Sequence, residues 1–300
     1  MNTLPQVCVV GKVNLDFVFN VSRFPEHHEK MRCDKCAVQA GGSATNTAAW
    51  LKCLGHPVLF VGALAADPPG RLARELLSKA GIQADLVVDD ELAETGVACV
   101  LSGPSDKRMI IAGSTARLPL ERLATLRVGE CRHIHYASLT SSEVDSVHQM
   151  TAHLNASYSC DLNGQWRSDA PRRCDVLFSN ADELPTTGRE ALERPECLGA
   201  CCVVLTQGTA GATYHRGLER VHSATRVVET VDGTGSGDAF DAGFLSGWLA
   251  DPDEPRQALV LGLACAAVAR TVRGGFPPEG AIESVRSMVD VLETAIAEEA

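Results

Sequence analysis

Positive charge is in short supply: 27 Lys and Arg stand against 38 Asp and Glu, a formal charge of −11 over 300 residues. Such a surface is poorly suited to neutralising a phosphate backbone, so nucleic acid is not expected as a partner. A small anionic ligand stays compatible, because backbone N–H groups, a helix N-terminus and bound metal make a site positive locally. Aromatic residues are few, at 5%, which leaves little surface on which a nucleobase could stack. Long apolar runs are missing. The closest, Ala258 to Val268, ends at Arg270 and is too short to span a bilayer, so no membrane partner is expected. The run Val7-Cys8-Val9-Val10 stops at Gly11 with no basic flank before it. No secretory leader is therefore expected, and the chain reads as cytoplasmic. Twelve cysteines in such a chain read as reduced, mostly buried thiols rather than a disulfide framework. No internal repeat, low-complexity segment or charge block is visible.

What remains is an ordinary globular composition, 45% apolar and 22% charged, with enough length for a sizeable core. Short β-branched runs alternate with amphipathic stretches. Strands are expected at Gln6–Val10, Val58–Val61, His133–Tyr136, Val176–Phe178 and Cys202–Leu205. Helices are expected at Ala44–Leu54 and Gly70–Ala80, each closed by a glycine, and at about 237–250 and 256–272. That alternation implies an α/β fold, a mostly parallel sheet covered by helices on both faces. Two regions break the rhythm, about 14–38 and 96–112, where extended pieces carry turn chemistry at Phe24-Pro25 and Gly103-Pro104-Ser105-Asp106. They read as a small β-sheet lid within a single domain over 1–300, or else as edge hairpins of the main sheet.

The sharpest local signal is Val231-Asp232-Gly233-Thr234-Gly235-Ser236-Gly237-Asp238-Ala239-Phe240. Three alternate glycines permit close backbone approaches, and a helix follows at once. A glycine loop feeding a helix N-terminus presents unpaired N–H groups to an anion. Asp238 in that first turn suits a base that takes a proton from an attacking hydroxyl beside the anion hole. Alone, the motif also fits a tight turn with Asp238 as a helix cap. Its spacing is not that of a dinucleotide fingerprint, and no G-x-x-x-x-G-K-[ST] sequence occurs anywhere.

With its flanks, the segment resembles the D-T-G-A-G-D signature of the ribokinase-like (PfkB) carbohydrate and nucleoside kinases. Further matches follow in order: Gly11-Lys12-Val13-Asn14-Leu15-Asp16, Ala40-Gly41-Gly42-Ser43-Ala44-Thr45-Asn46, Asp67-Pro68-Pro69-Gly70, Thr95-Gly96, Asn180-Ala181-Asp182-Glu183, and Thr206-Gln207-Gly208 with Gly211. The resemblance implies a three-layer sandwich with a β-sheet lid and an ATP- and magnesium-dependent kinase. It implies Asp238 as base, with Gly235, Ser236 and Gly237 forming the anion hole. Asn14, Asp16, Gly41, Gly42 and Asn46 would bind the acceptor. Asn180, Glu183, Thr206, Gly208, Gly211, Gly235 and Gly237 would bind nucleotide, with Glu183 holding Mg2+ through water. Asp232, Thr234, Ala269 and Gly274 match positions that hold a monovalent cation such as K+. Asp161-Leu162-Asn163 resembles a supporting D-x-N segment.

The residues agree with those roles. Asn14 and Asp16 are two apart and share a face on a strand, and Asn180 and Glu183 are three apart on one face of a helical turn. The plain alternatives are caps and turns: Ser43 is a natural N-cap, Asp16 an edge charge and Glu183 a dipole partner.

Departures bear on the acceptor. The family's P-x-x-G-E lid turn is here Pro25-Glu26-His27-His28-Glu29. An acidic sugar ligand after the central strand gives way to Ser138-Leu139-Thr140-Ser141-Ser142, with Glu143 just beyond. Trp50 after the glycine pair is similar to adenosine-kinase relatives. The acceptor reading is therefore a sugar, with a nucleoside stacked on Phe17 or Phe19 as the alternative. A sugar phosphate clamped by Lys12, Lys30, Arg32, Lys35 or Arg108 comes next, and a silent binding protein is the non-enzyme alternative. Cys33-Asp34-Lys35-Cys36 lacks the second half of a zinc site and reads as free thiols. Cys201-Cys202 reads as core, and an apolar lid face is expected to pair two copies as a homodimer.

Overall fold

The computed structural model describes residues 7–33, 35–82, 84–89, 94–103, 108–113, 131–137, 139, 141–161, 174–182 and 200–299. In chain order come β1 (Val7–Gly11), β2 (Asn14–Asn20), β3 (Lys35–Gly41), α1 (Ser43–Cys53), β4 (Val58–Ala65), α2 (Pro68–Lys79) and β5 (Ala84–Asp89). Then follow β6 (Gly96–Ser102), β7 (Arg108–Gly113), β8 (His133–Ala137), α3 (Ser141–Thr151), β9 (Ser157–Asp161) and β10 (Cys174–Asn180). The last part holds β11 (Ala200–Thr206), β12 (Ala212–Arg216), β13 (Glu219–Ser223), α4 (Ser236–Ala250), α5 (Pro255–Arg270) and α6 (Ala281–Glu299).

Nine strands form the main sheet in the order β13-β12-β11-β10-β9-β8-β1-β4-β5. Among the described residues, pairings from β5 to β11 are parallel, and at one edge β12 runs antiparallel to β11 and β13 antiparallel to β12. β1 shows why the centre is where it is. All five of its residues are buried, as a parallel strand covered on both faces must be. Val7 and Val9 belong to one core with α1, α4 and α5, while Cys8 and Val10 belong to another with Val144 of α3. The expected α/β sandwich is present, with helices on both faces.

α4 and α5 pack with almost no side chain between them. A Cβ on Gly247 would come within 2.7 Å of the Ala258 Cα, and one on Gly243 within 2.8 Å of the Gly262 Cα. Small residues at the crossing let the two helices approach this closely.

The sheet interior carries a polar chain. Ser157 donates to the Arg132 carbonyl at 3.3 Å, so its oxygen accepts from His133 Nδ1 at 2.7 Å. His133 Nε2 then accepts from the Ser159 hydroxyl at 2.7 Å, and that oxygen accepts from His135 Nδ1 at 2.8 Å. The relay makes both rings neutral, each protonated on Nδ1. Burial reinforces this, holding both histidines down at about 3.

Four strands form a separate sheet in the order β3-β2-β6-β7, so the two irregular regions are a lid and not edge hairpins of the main sheet. Alternation puts Asn14, Asp16 and Val18 on its inner face with Ala98 and Val100. Phe17 and Phe19 point the other way. The outward face leaves Val38, Met109 and Ile111 exposed. The lid is tied to the body by Asp67, which accepts from Gly70 N at 2.8 Å, Thr95 N at 2.9 Å and Thr95 Oγ1 at 2.6 Å. The D-x-x-G and T-G matches are thus two halves of one structural clip. At the lid tip, Glu29 accepts from Arg23 and from Glu26 N at 3.0 Å. His28 takes φ 63° where the family's turn has glycine.

One sequence expectation is corrected: of the pair, Cys201 is exposed and Cys202 is buried, because neighbouring side chains of a strand point to opposite faces and the side under Cys201 is uncovered there. Trp50 is wholly buried and donates to the Gly275 carbonyl at 3.0 Å, so it acts as a strut between α1 and the segment after α5. Among the described residues, no helix is long and apolar enough to cross a membrane.

Candidate active site

The chain leaves the main sheet at the end of β1 and enters the lid as β2, so Asn14 and Asp16 face the ground between the two. Asp16 is 8% exposed, and its Oδ1 has no hydrogen-bond partner. Burial raises its carboxyl to about 6. β3 runs antiparallel beside it, pairing Gly41 with Asn14 and Gln39 with Asp16. Any side chain at Gly41 would collide with the Asp16 carboxylate, so glycine there is what lets the acid sit so close to the β3 backbone.

From Gly41 the chain passes through Gly42 into α1. Gly42, at φ 96°, is the helix N-cap and supplies no side-chain cap bond. The Ser43 hydroxyl, expected as that cap, goes instead to Asp238 Oδ1, and Asn46 Nδ2 donates to Asp238 Oδ2 at 2.7 Å. Two helix starts, α1 and α4, are joined through this carboxylate.

The glycine loop before α4 is built around Asp232. Its Oδ1 accepts from Thr234 N at 2.9 Å and Thr234 Oγ1 at 2.6 Å, and its Oδ2 from Gly274 N at 3.1 Å. Gly235 is left-handed at φ 73°, and a Cβ there would press on the Gly275 backbone. Ser236 ties its hydroxyl to the Gly233 carbonyl at 3.0 Å. A Cβ on Gly237 would meet nothing within 4 Å, so open space lies beside the start of α4; of its first N–H groups, that of Ser236 already donates to the Gly233 carbonyl at 3.3 Å. Asp238 is 9% exposed at the edge of that space. Burial raises its carboxyl above the usual range, while Ser43, Asn46 and the charge of Arg108 pull it back. The result is a held, partly screened carboxylate beside a helix start, an arrangement that can take a proton from a hydroxyl.

On the far side of Gly237 lies a cavity of about 250 Å³. Asn180, Thr206, Gly208, Gly211, Ser236 and Gly237 all line it, so these residues, expected from the resemblance to bind nucleotide, come together from β10, from β11 and the turn after it, and from the glycine loop. Its other wall is residues 225–228 with Leu263, Ala266 and Ala267 of α5. Sequence reasoning missed that wall: 224–230 has no regular structure, and the α5 residues read as core. Asn180 also accepts from Asp182 N at 2.9 Å. Glu183 and Asn163 lie outside the described residues, as do Ser138 and Thr140. Glu143 stands in the first turn of α3.

Of the cation residues, Asp232, Thr234 and Gly274 meet in one hydrogen-bonded clip. The Ala269 carbonyl accepts from Thr271 and Val272 N–H at the end of α5. Among the described residues, no group of three or more His, Cys, Asp and Glu is placed to hold a metal ion. One contact was not foreseen: Arg108, at the start of β7 in the lid, donates to Thr234 Oγ1 at 3.0 Å.

Residues 4–279 match the pfkB family carbohydrate kinase model. An ATP-dependent ribose-1-phosphate kinase of Halopiger xanaduensis is 28% identical over 270 residues, covering 88% of this chain and 91% of the relative. A nucleoside kinase of Methanothermobacter thermautotrophicus is 26% identical over 257 residues, covering 81% and 82%. The fold is shared with a ribokinase of Thermotoga maritima at a TM-score of 0.79 and 22% identity, over 96% of this chain and 99% of that one.

Proposed function

The chain belongs to the pfkB family of carbohydrate kinases, and from that premise we propose that it moves the γ-phosphoryl group of ATP onto a hydroxymethyl group of a small sugar. The family level is an ATP-dependent phosphotransferase acting on a small polyol or sugar. The observation that carries the finer reading is Asp16, a buried carboxylate on the same face of β2 as Asn14 whose Oδ1 has no hydrogen-bond partner. A buried, unsatisfied acceptor is costly unless a ligand supplies the donor, and sugar hydroxyls do so.

In this mechanism Asn14, Asp16 and the backbone at Gly41 and Gly42 bind the acceptor. Asn46 and Ser43 hold Asp238, which takes the hydroxyl proton. The N–H groups at Gly235 to Gly237 steady the phosphoryl group, and ATP occupies the cavity lined by Asn180, Thr206, Gly208 and Gly211. Magnesium bound with the nucleotide would offset phosphate charge, and Asn180 and Glu183 are the residues that would hold it. A monovalent cation would sit against the clip of Asp232, Thr234 and Gly274.

A nucleoside fits less well. Phe17 and Phe19 stand on the opposite face of β2 from Asp16, and Trp50 is buried. A sugar phosphate is the second reading, favoured by Arg108 near the acceptor side and by the ribose-1-phosphate kinase relative. ADP release measured across ribose, fructose, 2-keto-3-deoxygluconate, ribose 1-phosphate, adenosine and inosine decides between them. Turnover of a sugar supports the proposal. Turnover of nucleosides alone, or tight binding with no ADP release from any of the six, overturns it.

A further inference from the structure

One rim of the 250 Å³ cavity is a turn with little to rest on. Gly208, Thr209 and Ala210 form a single 3-10 turn in which no residue is buried, yet Gly208, Thr209 and Gly211 line the cavity. Gly208 is left-handed at φ 57°, and a Cβ there would meet nothing within 4 Å, so packing at that residue does not set the turn. Its shape is set from the two ends. Gln207 N donates to the Gly211 carbonyl at 2.8 Å and draws the ends together. Gly211, at φ 96°, lies so close to β13 that a Cβ would come within 2.1 Å of the Ser223 carbonyl oxygen.

The remaining hold is a chain of side-chain bonds. Thr213 Oγ1 donates to Gln207 Oε1 at 2.8 Å. With its one hydrogen given there, the hydroxyl accepts from His222 Nδ1 at 3.0 Å. Register makes this possible, because His222 stands directly opposite Thr213 in the β12–β13 hairpin. Thr213 is wholly buried, while Gln207 is half-buried and His222 exposed. Valine would fill the same space in β12 with no hydroxyl to desolvate, so these two bonds are what offset the burial of one. They run from the surface, through the edge of the main sheet, to the first residue before the turn. Just past His222, Ser223 meets Gly211, and residues 225–228 continue as the opposite wall of the cavity. β13 and its continuation thus stand behind both sides of it.

We propose that Thr213, Gln207 and His222 are positioning residues of the nucleotide site: the Thr213 hydroxyl braces the 208–211 turn against β13 and so sets the affinity for a nucleoside di- or triphosphate. They act through the turn and take no part in proton or phosphoryl transfer. The inference rests on the proposed kinase activity, which puts ATP in this cavity, and deepens it.

The test is ADP and ATP affinity by calorimetry, with kcat and acceptor KM, for Thr213→Val, Thr213→Ser, Gln207→Met and the double variant carrying Thr213→Val and Gln207→Met. Thr213→Val keeps the shape and the β-branch, and is expected to weaken ADP and ATP binding about tenfold, the order of one hydrogen bond's net worth. Its kcat and acceptor KM should stay within about threefold of wild type. Thr213→Ser, which keeps the hydroxyl, should bind ADP within about threefold of wild type. Gln207→Met should lose about as much as Thr213→Val, and the double variant no more than either, because all remove the same bond. ADP binding by Thr213→Val within about twofold of wild type overturns the proposal. So do losses that add in the double variant, a Thr213→Ser no better than Thr213→Val, or a fall in kcat with nucleotide affinity unchanged. If wild type binds neither ADP nor ATP, the kinase reading falls and takes this inference with it. If wild type binds both and the variants bind them equally well, this inference alone falls.

Discussion

Asn46 Nδ2 donates to Asp238 Oδ2 at 2.7 Å, joining residues 192 positions apart. With the Ser43 hydroxyl on the other oxygen, the proposed base is gripped by the first turn of a helix from the opposite half of the chain. Hydrogen bonds to a carboxylate favour its charged form, against burial that opposes it. Loss of a donor should therefore raise the Asp238 pKa and move the acid limb of kcat to higher pH. Ser43→Ala and Asn46→Ala are each expected to show that displacement with roughly a tenfold loss of kcat at neutral pH. A pH profile that drops in height without moving would assign them a purely structural role.

Asp16 sits at about 6 before any acceptor binds. Sugar hydroxyls donated to its free oxygen would favour the carboxylate and lower that value. Acceptor binding near pH 6 should then release protons, and calorimetry in buffers of different ionisation enthalpy measures this directly. Asp16→Asn should remove the buffer dependence and weaken acceptor binding, leaving ATP binding unchanged. Equal enthalpies in all buffers for wild type would show that Asp16 does not meet the acceptor.

His133 and His135 are held near 3 against an ordinary 6.5. Their folded values lie below the unfolded ones, so their stabilising effect is present above pH 6.5. It is lost as pH falls from there toward 3, because unfolding takes up protons. At pH 5 wild type should take up close to two more protons on unfolding than a variant with both replaced by Gln. Urea titrations at successive pH values give that slope. An identical slope in the variant would mean the pair is not neutral in the fold.

Much of this arrangement was legible in the sequence, and the exceptions have physical causes. β1, α1, α2, α4 and α5 announce themselves through apolar periodicity and glycine stops. β9 does not, because Ser157 and Ser159 look like loop residues until His133 and His135 are seen to need them. The β12–β13 hairpin is a half-exposed edge pair with polar residues at Arg216, Glu219 and Arg220, and it lacks the buried run that marks β11. Asp238 stood out through its glycine loop and helix start, while Asp16 and Gly41 were singled out through the resemblance. That Asn46 and Ser43 serve the base, and that Arg108 reaches Thr234, could not be read, because both are contacts between elements far apart in the chain.

The outer lid face exposes Val38, Met109 and Ile111 on one side of a sheet. A second copy presenting the same face would cover them, and a self-complementary pairing closes as a dimer. Light scattering should give twice the 31.8 kDa chain mass, and Met109→Asp with Ile111→Asp should give the monomer. A monomeric wild type contradicts a lid-mediated dimer.

The central claim is that Asp238, and no other group, deprotonates the acceptor. Single-turnover kinetics of Asp238→Asn, with acceptor and ATP affinities measured on the same preparation, test it most directly. The account predicts a kcat lower by on the order of a thousandfold or more, with acceptor binding close to wild type. A variant that binds normally and turns over within about tenfold of wild type would contradict it.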